Sequence, residues 1–174
     1  TVQPRKNYEM LIRAFQPVAE RHPHSLVIVG GKGWLDEGLP REIERLGLRD
    51  RVKLAGFVDD ADLPAAYSAA DLLAFPSLYE GFGLPLLEAM ACGTPVISSN
   101  VSSLPEVATE ESAVLLSPHG ETAWTAAMLR LLGDEDARGE LSAAGLARRS
   151  QFSWHAAARQ LAILYESLLS GEYF

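Results

Sequence analysis

A single cysteine, Cys92, occurs in 174 residues. An internal disulfide is excluded, so the fold must rest on apolar burial, and a reducing, cytoplasmic setting is suggested. No apolar run approaches the ~18 residues that a membrane-spanning helix needs. No signal-peptide pattern is visible. Basic residues are few: 15 Lys and Arg face 23 Asp and Glu, giving a net charge of −8. That balance argues against nucleic acid as a partner. It also requires any anionic ligand to be held by local cations and backbone amides. Histidine is scarce as well: His22-Pro23-His24 reads as surface loop, and His119 and His155 have no partners at ligand spacing. Repeats, linkers and low-complexity tracts are lacking, so residues 1–174 read as one domain.

What is present is the composition of a soluble globular protein, 48% apolar and 22% charged. Helical and strand patterns alternate along the chain. Tyr8 to Arg21 places Leu11, Ile12, Phe15 and Val18 on one helical face. Ser25 to Val29 is a short apolar strand ending at Gly30-Gly31. Further helices are expected at Leu39–Leu46, Leu63–Ala69 and Leu84–Cys92, and further strands at Val52–Leu54, Leu72–Phe75, Val96–Ser98 and Ala113–Leu116. From Glu121 onward the pattern is helical, with breaks near Gly133 and Phe152 and a last amphipathic helix from Trp154 to Leu169. Short apolar strands separated by helices imply a parallel sheet covered on both faces, the doubly wound α/β class. Such sheets bind ligands at the carboxyl ends of their strands. The loops Gly30-Gly31-Lys32, Gly56-Phe57-Val58 and Ser77–Gly83 should share that rim. A doubly wound domain normally carries a strand ahead of its first helix. None is legible in Thr1–Asn7, which reads as a loop, so the chain is expected to begin just after that strand.

The most informative stretch is Glu80-Gly81-Phe82-Gly83-Leu84-Pro85-Leu86-Leu87-Glu88. Two carboxylates bracket a Gly-x-Gly turn that runs into an apolar helix, with Pro85 suited to the first helical turn. Gly93 and Pro95 stop it. Its body is apolar except for Glu88, and a helix that is apolar nearly all round is expected to be buried, with Cys92 as a small core residue. A carboxylate on such a helix needs a partner. No Lys or Arg lies within four residues of Glu88, so the partner comes from elsewhere in the fold or from a ligand. The free N–H groups and dipole of the helix start suit a phosphate. A carboxylate one turn deeper suits a vicinal diol such as a ribose, and a nucleoside diphosphate offers both.

With these residues in view the chain resembles the retaining glycosyltransferases of the large family 4, which have the two-domain GT-B fold. Glu80 and Glu88 match that family's Glu-x7-Glu motif. Pro4-Arg5-Lys6-Asn7, Val29-Gly30-Gly31, Gly56-Phe57-Val58, Ala70-Asp71, Pro76-Ser77, Cys92-Gly93-Thr94-Pro95-Val96 and Phe152-Ser153-Trp154 fall in the family's order, so the resemblance covers nearly the whole chain. It implies a Rossmann-like, doubly wound domain, the C-terminal half of a GT-B enzyme, which binds a nucleotide-sugar. The partner it implies is an N-terminal acceptor-binding domain of the same enzyme.

Roles follow from the same resemblance. Lys6 is implied as the cation on the donor diphosphate, with Arg5 assisting where many members carry an Arg at the position of Thr1. Glu80 is implied to contact the transferred sugar and Glu88 to hold the ribose hydroxyls. The amides of Gly81, Phe82, Gly83 and Leu84 are implied to hold sugar and phosphates, Gly31 to line the site, and Phe57 and Val58 to form the base-contacting edge. No metal or other cofactor is implied. Asp59-Asp60-Ala61-Asp62 contains an Asp-x-Asp spacing, but it precedes a helix, where carboxylates cap and complement the dipole. The reaction expected is transfer of a hexose, with retention, from a nucleoside-diphosphate sugar to a glycan or lipid acceptor. The setting expected is cytoplasmic or peripheral at the inner face of a membrane. Pro4–Asn7 together with Gly31-Lys32-Gly33-Trp34 resembles bacterial mannosyl- or rhamnosyl-type members, which favours GDP-mannose over a UDP-sugar. By itself the chain is expected to bind nucleotide without turning over. Two alternatives share the architecture: half of a nucleotide-sugar epimerase, and a non-catalytic nucleotide-binding module.

Overall fold

The computed structural model describes residues 3–31 and 38–170. Its helices are α1 (Tyr8–Arg21), α2 (Gly38–Arg45), α3 (Leu63–Ser68), α4 (Leu84–Ala91), α5 (Leu104–Val107), α6 (Glu121–Gly133), α7 (Glu135–Arg149) and α8 (Trp154–Ser170). Its strands are β1 (Leu26–Val29), β2 (Val52–Gly56), β3 (Leu73–Phe75), β4 (Val96–Ser99) and β5 (Val114–Leu116). All five strands expected from the sequence are present, and every pairing is parallel. The short helix α5 was not expected. Its four residues are too few to show a 3.6-residue period.

Strand pattern and burial explain the layers. Side chains alternate across a strand, and paired residues of a parallel ladder share a face. Ala74, Ile97 and Val114 therefore join α1, α2 and α6 in one core, around Ile12, Val18 and Trp124. Leu73, Phe75, Val96 and Leu115 face the other way, into a second core with α4, α5 and the α3 residue Tyr67. The sheet β3-β4-β5 is thus covered on both faces.

The architecture departs from a single continuous sheet in one respect. β1 pairs only with β2, and β3 only with β4 among the described residues. The two sheets share the first core, which contains Ile28 and Val52 as well as Ile97. The amino ends of β1 and β3 lie close together, with His24 Nε2 3.5 Å from Asp71 Oδ2. His24 is accordingly half-buried and not the plain surface loop expected. No strand precedes α1 among the described residues. Val27 remains 55% exposed, so β1-β2 is covered on one face only. The six-residue α3 packs instead on α4.

Three further expectations are corrected. α4 is not buried all round: Leu86, Ala89 and Met90 face the core, but Leu84 is 45% exposed and Glu88 and Ala91 are exposed too. Cys92 follows α4 as its C-cap and is only half-buried. The sequence shows that the helix is apolar but not whether all its sides meet protein. Asp62 does precede α3, but its side chain makes no cap hydrogen bond; the backbone carbonyl of Asp59 accepts from the N–H groups of Asp62 and Leu63 instead.

Candidate functional site

The site is assembled at the carboxyl ends of the strands by a segment read from the sequence as loop. Pro4–Lys6 forms a short 3-10 turn with Pro4 at its start. Asn7 ends the turn in a left-handed conformation, φ 58°, and begins α1. Its side-chain amide donates to Pro76 O at 3.2 Å and to Pro118 O at 2.8 Å. The loops after β3 and β5 are thereby fastened to the start of α1. The Leu78 N–H donates to Arg5 O at 2.7 Å, and Arg5 Nη1 to Tyr79 O at 3.1 Å. These bonds place two cations beside Glu80, which lies 74 residues beyond Lys6 in sequence.

Glu80 is the centre of the cluster. Lys6 Nζ lies 2.6 Å from its Oε1 and Arg5 Nη1 2.7 Å from its Oε2. The buried Ser77 hydroxyl donates to Oε1 at 2.8 Å. Burial raises the Glu80 pKa, but hydrogen bonds from Lys6, Ser77 and Arg5 together outweigh it, and the carboxyl sits below its ordinary value. Lys6 Nζ also stands 4.9 Å from the centre of the Phe75 ring, a cation–π contact. Tyr8 adjoins the cluster; burial first, and the Glu80 charge second, raise its pKa.

The loop from Glu80 to Gly83 is shaped by serines from the segment after β4. Ser102 Oγ accepts from the Glu80 N–H at 3.0 Å. Ser103 Oγ donates to Glu80 O at 3.0 Å and to Phe82 O at 3.3 Å. The Phe82 ring meets Phe152 edge-on, with centroids 6.2 Å apart. Gly83 takes φ 105°, a conformation open to glycine and strained for other residues. It begins α4 with no side-chain cap. In the first turn of α4, Pro85 has no N–H and the Leu86 N–H donates to Gly83 O at 3.0 Å, which leaves the Leu84 N–H and the positive end of the helix to face an anion. One turn in, Glu88 lies on the exposed side of α4 and accepts a hydrogen bond from the Tyr67 hydroxyl at Oε2, 2.9 Å away.

The other rim residues fall around this cluster as follows. The N–H of Gly30 donates to Gly56 O at 2.8 Å, tying the loop after β1 to the loop after β2. Gly31 is half-buried beside that tie, Phe57 is 72% exposed, and Val58 is half-buried. Gly81 is exposed in the motif loop. Thr1 and Lys32-Gly33-Trp34 lie outside the described residues. The structure thus joins Arg5, Lys6 and Glu80 directly, and places Glu88 one helical turn from the loop they hold. Sequence reasoning gave no site role to Tyr67 or Tyr8, and named Asn7 and Ser77 only within the runs Pro4–Asn7 and Pro76-Ser77. Asn7, immediately before a helical pattern, and Ser77, in the rim loop, carried a readable signal; a lone Tyr on a helix carries none.

The geometry is thus a carboxylate held by two cations at the start of a helix with a second carboxylate one turn further in, and comparison with known proteins gives the chain a lineage. The family model described as "Glycosyl transferases group 1" matches residues 1–148. The chain belongs to the glycosyl transferases group 1 family. Among relatives, O-antigen chain mannosyltransferase B of Escherichia coli is 41% identical over 170 residues, covering 97% of this chain and 44% of that protein. HepE of Anabaena, solved in complex with UDP and glucose, superposes with a TM-score of 0.87 at 26% identity, over 95% of this chain and 46% of that one. The C-terminal domain of a group 1 family protein, LpcC of Francisella tularensis, gives a TM-score of 0.77 at 25% identity, over 86% and 80%. This group 1 chain therefore has the Rossmann-like fold of the C-terminal half of GT-B glycosyltransferases, and it spans less than half the length of the first two relatives. No described helix is long and apolar enough to cross a membrane.

Proposed function

We propose that the chain is the donor-binding half of a retaining, family 4 type hexosyltransferase that uses a nucleoside-diphosphate sugar. The observation that carries this reading is the convergence of Lys6, Arg5 and the uncapped start of α4 on one loop, with Glu88 one turn further in. The diphosphate sits on the two cations and the Leu84 N–H at the positive end of α4. Glu88 accepts from the ribose hydroxyls, Glu80 from hydroxyls of the transferred sugar, and Phe57 and Val58 border the base. Gly81, Phe82, Gly83, Leu84 and Gly31 supply the surrounding backbone.

Departure of the nucleoside diphosphate puts negative charge on phosphate oxygens. The two cations and the positive end of α4 stabilise it without a metal ion. The acceptor, a glycan or lipid, is held by a second half of the enzyme, so this chain alone binds nucleotide and does not turn over. The enzyme works in the cytoplasm or at the inner face of a membrane. The donor we favour is GDP-mannose, supported by the mannosyltransferase relative; the UDP bound to HepE supports the competing donor class.

Calorimetric titration with GDP and UDP, first without metal and then with magnesium, tests the reading. Metal-free binding of GDP in preference to UDP is expected. Preference for UDP overturns the donor assignment, a strict need for magnesium overturns the metal-free mechanism, and binding of neither overturns the nucleotide site. Glu88→Ala is expected to weaken nucleotide binding by about 1–3 kcal/mol.

A further inference from the structure

Glu88 projects from the exposed side of a helix, and a glutamate there has free rotation about three side-chain bonds unless something holds it. In this chain the holder is Tyr67. Its hydroxyl donates to Glu88 Oε2 at 2.9 Å, and Oε1 is left without a protein donor among the described hydrogen bonds. Tyr67 is itself fixed twice. Its ring packs against the second core, and its carbonyl accepts from Thr94 Oγ1 at 2.7 Å. Thr94 is buried just beyond the C-terminus of α4, and its N–H donates to Ala89 O. One relay therefore runs from the end of α4, through α3, to the carboxylate of Glu88. Burial, and then the bond to Glu88, push the Tyr67 phenol well above its ordinary pKa, so it stays a donor at every pH at which the protein is handled.

We propose that Tyr67 is a positioning residue that aims the Glu88 carboxylate, leaving Oε1 free to receive a ribose hydroxyl, and so sets a preference for ribonucleotide over deoxyribonucleotide. The inference rests on Glu88 being the ribose contact. A carboxylate tethered at one oxygen presents the other in a fixed direction, and part of the cost of ordering it on binding is already met. A hydroxyl missing from the ligand then leaves that oriented acceptor unpaired, which is how a polar site rejects the analogue lacking the group.

The test uses the chain as it stands and measures the Kd of GDP and 2′-deoxy-GDP, and of UDP and 2′-deoxy-UDP, for wild type, Tyr67→Phe and Glu88→Ala, with the Tm of each. Phenylalanine keeps the packed ring and removes only the donor. Wild type is expected to favour the ribonucleotide about tenfold. Glu88→Ala should lose that preference, and Tyr67→Phe should cut it at least about threefold, with deoxynucleotide affinity and Tm little changed. An undiminished preference in Tyr67→Phe, alongside its loss in Glu88→Ala, overturns the role of Tyr67 and leaves the ribose contact standing. A preference that survives Glu88→Ala overturns the ribose contact itself. Equal weakening of both nucleotides in Tyr67→Phe marks a merely structural tyrosine and also overturns the proposal.

Discussion

At the scale of single residues, Glu80 and the two cations form a closed set. The carboxylate occupies Lys6 and Arg5, the groups assigned above to the diphosphate. A diphosphate arriving there competes with Glu80 before it can be held. Glu80→Gln keeps the shape and removes the competing charge. It is expected to bind GDP or UDP about fivefold more tightly, corresponding to a partly exposed ion pair of ~1 kcal/mol, while losing affinity for the sugar-bearing donor. Calorimetry with each nucleotide and its hexose conjugate checks both halves; weaker binding of the free diphosphate would sink the idea of competition. The pH dependence follows from the same bonds. Glu80's pKa is lowered in the fold, so the stability it contributes is fully present above its ordinary value of 4.5 and is lost as pH falls through the lower folded value. Denaturant titrations from pH 6 down to about pH 3 should show a decline below about pH 4.5. It should be shallower in Glu80→Gln.

Among secondary-structure elements, legibility tracked periodicity. α1 and the strands could be read because apolar spacing alone defines them, and α1 has the bounds the pattern indicates. The two-sided cover of β3-β4-β5 followed from their unbroken apolar character. The uncovered face of β1-β2 did not, since Val27 reads as a core residue wherever it sits. The motif carboxylates were legible because they interrupt apolar or glycine-rich surroundings. Tyr67, the hydroxyl partner of Glu88, was not, because a contact from another element leaves no mark on local spacing; Ser77 was legible as part of the motif loop, but its bond to Glu80 was not. Gly83, the junction of loop and α4, was readable as a turn glycine, and the structure sharpens that reading. Its φ is 105°, and a Cβ there would stand 2.7 Å from Cδ2 of the fully buried Leu104. Gly83→Ala should therefore destabilise the fold by about 1–3 kcal/mol, measured as a lower midpoint in urea at unchanged m-value. An unchanged midpoint would mean that α5 yields freely, and that the loop is held less firmly than its serine contacts indicate.

For the molecule as a whole, the contrast is between two well-filled cores and one helix that joins neither. α8 runs for 17 residues without one buried side chain. Trp154 is 83% exposed and Leu169 89%, and Leu161, Tyr165 and Leu168 are exposed at the spacing of one helical stripe. Just before it, the Phe152 ring meets Phe82 edge-on and carries the Arg148 guanidinium over its face. A helix that buries nothing contributes little to the stability of the rest, because burial is the main favourable term in folding. Ending the chain at Ser153 should therefore leave Tm within about 2 °C of the full chain, whereas losing even ~1 kcal/mol in a protein of this size moves it by about 2–4 °C. The same truncation removes a contiguous apolar stripe of the kind that drives association, so light scattering at high concentration should show a smaller mean mass. The Tm comparison belongs at low concentration, where self-association through α8 cannot add to the stability of the longer chain. A fall of more than about 4 °C under those conditions would exceed ~1 kcal/mol. It would show that α8 supports the cores directly, contrary to the exposure of its side chains.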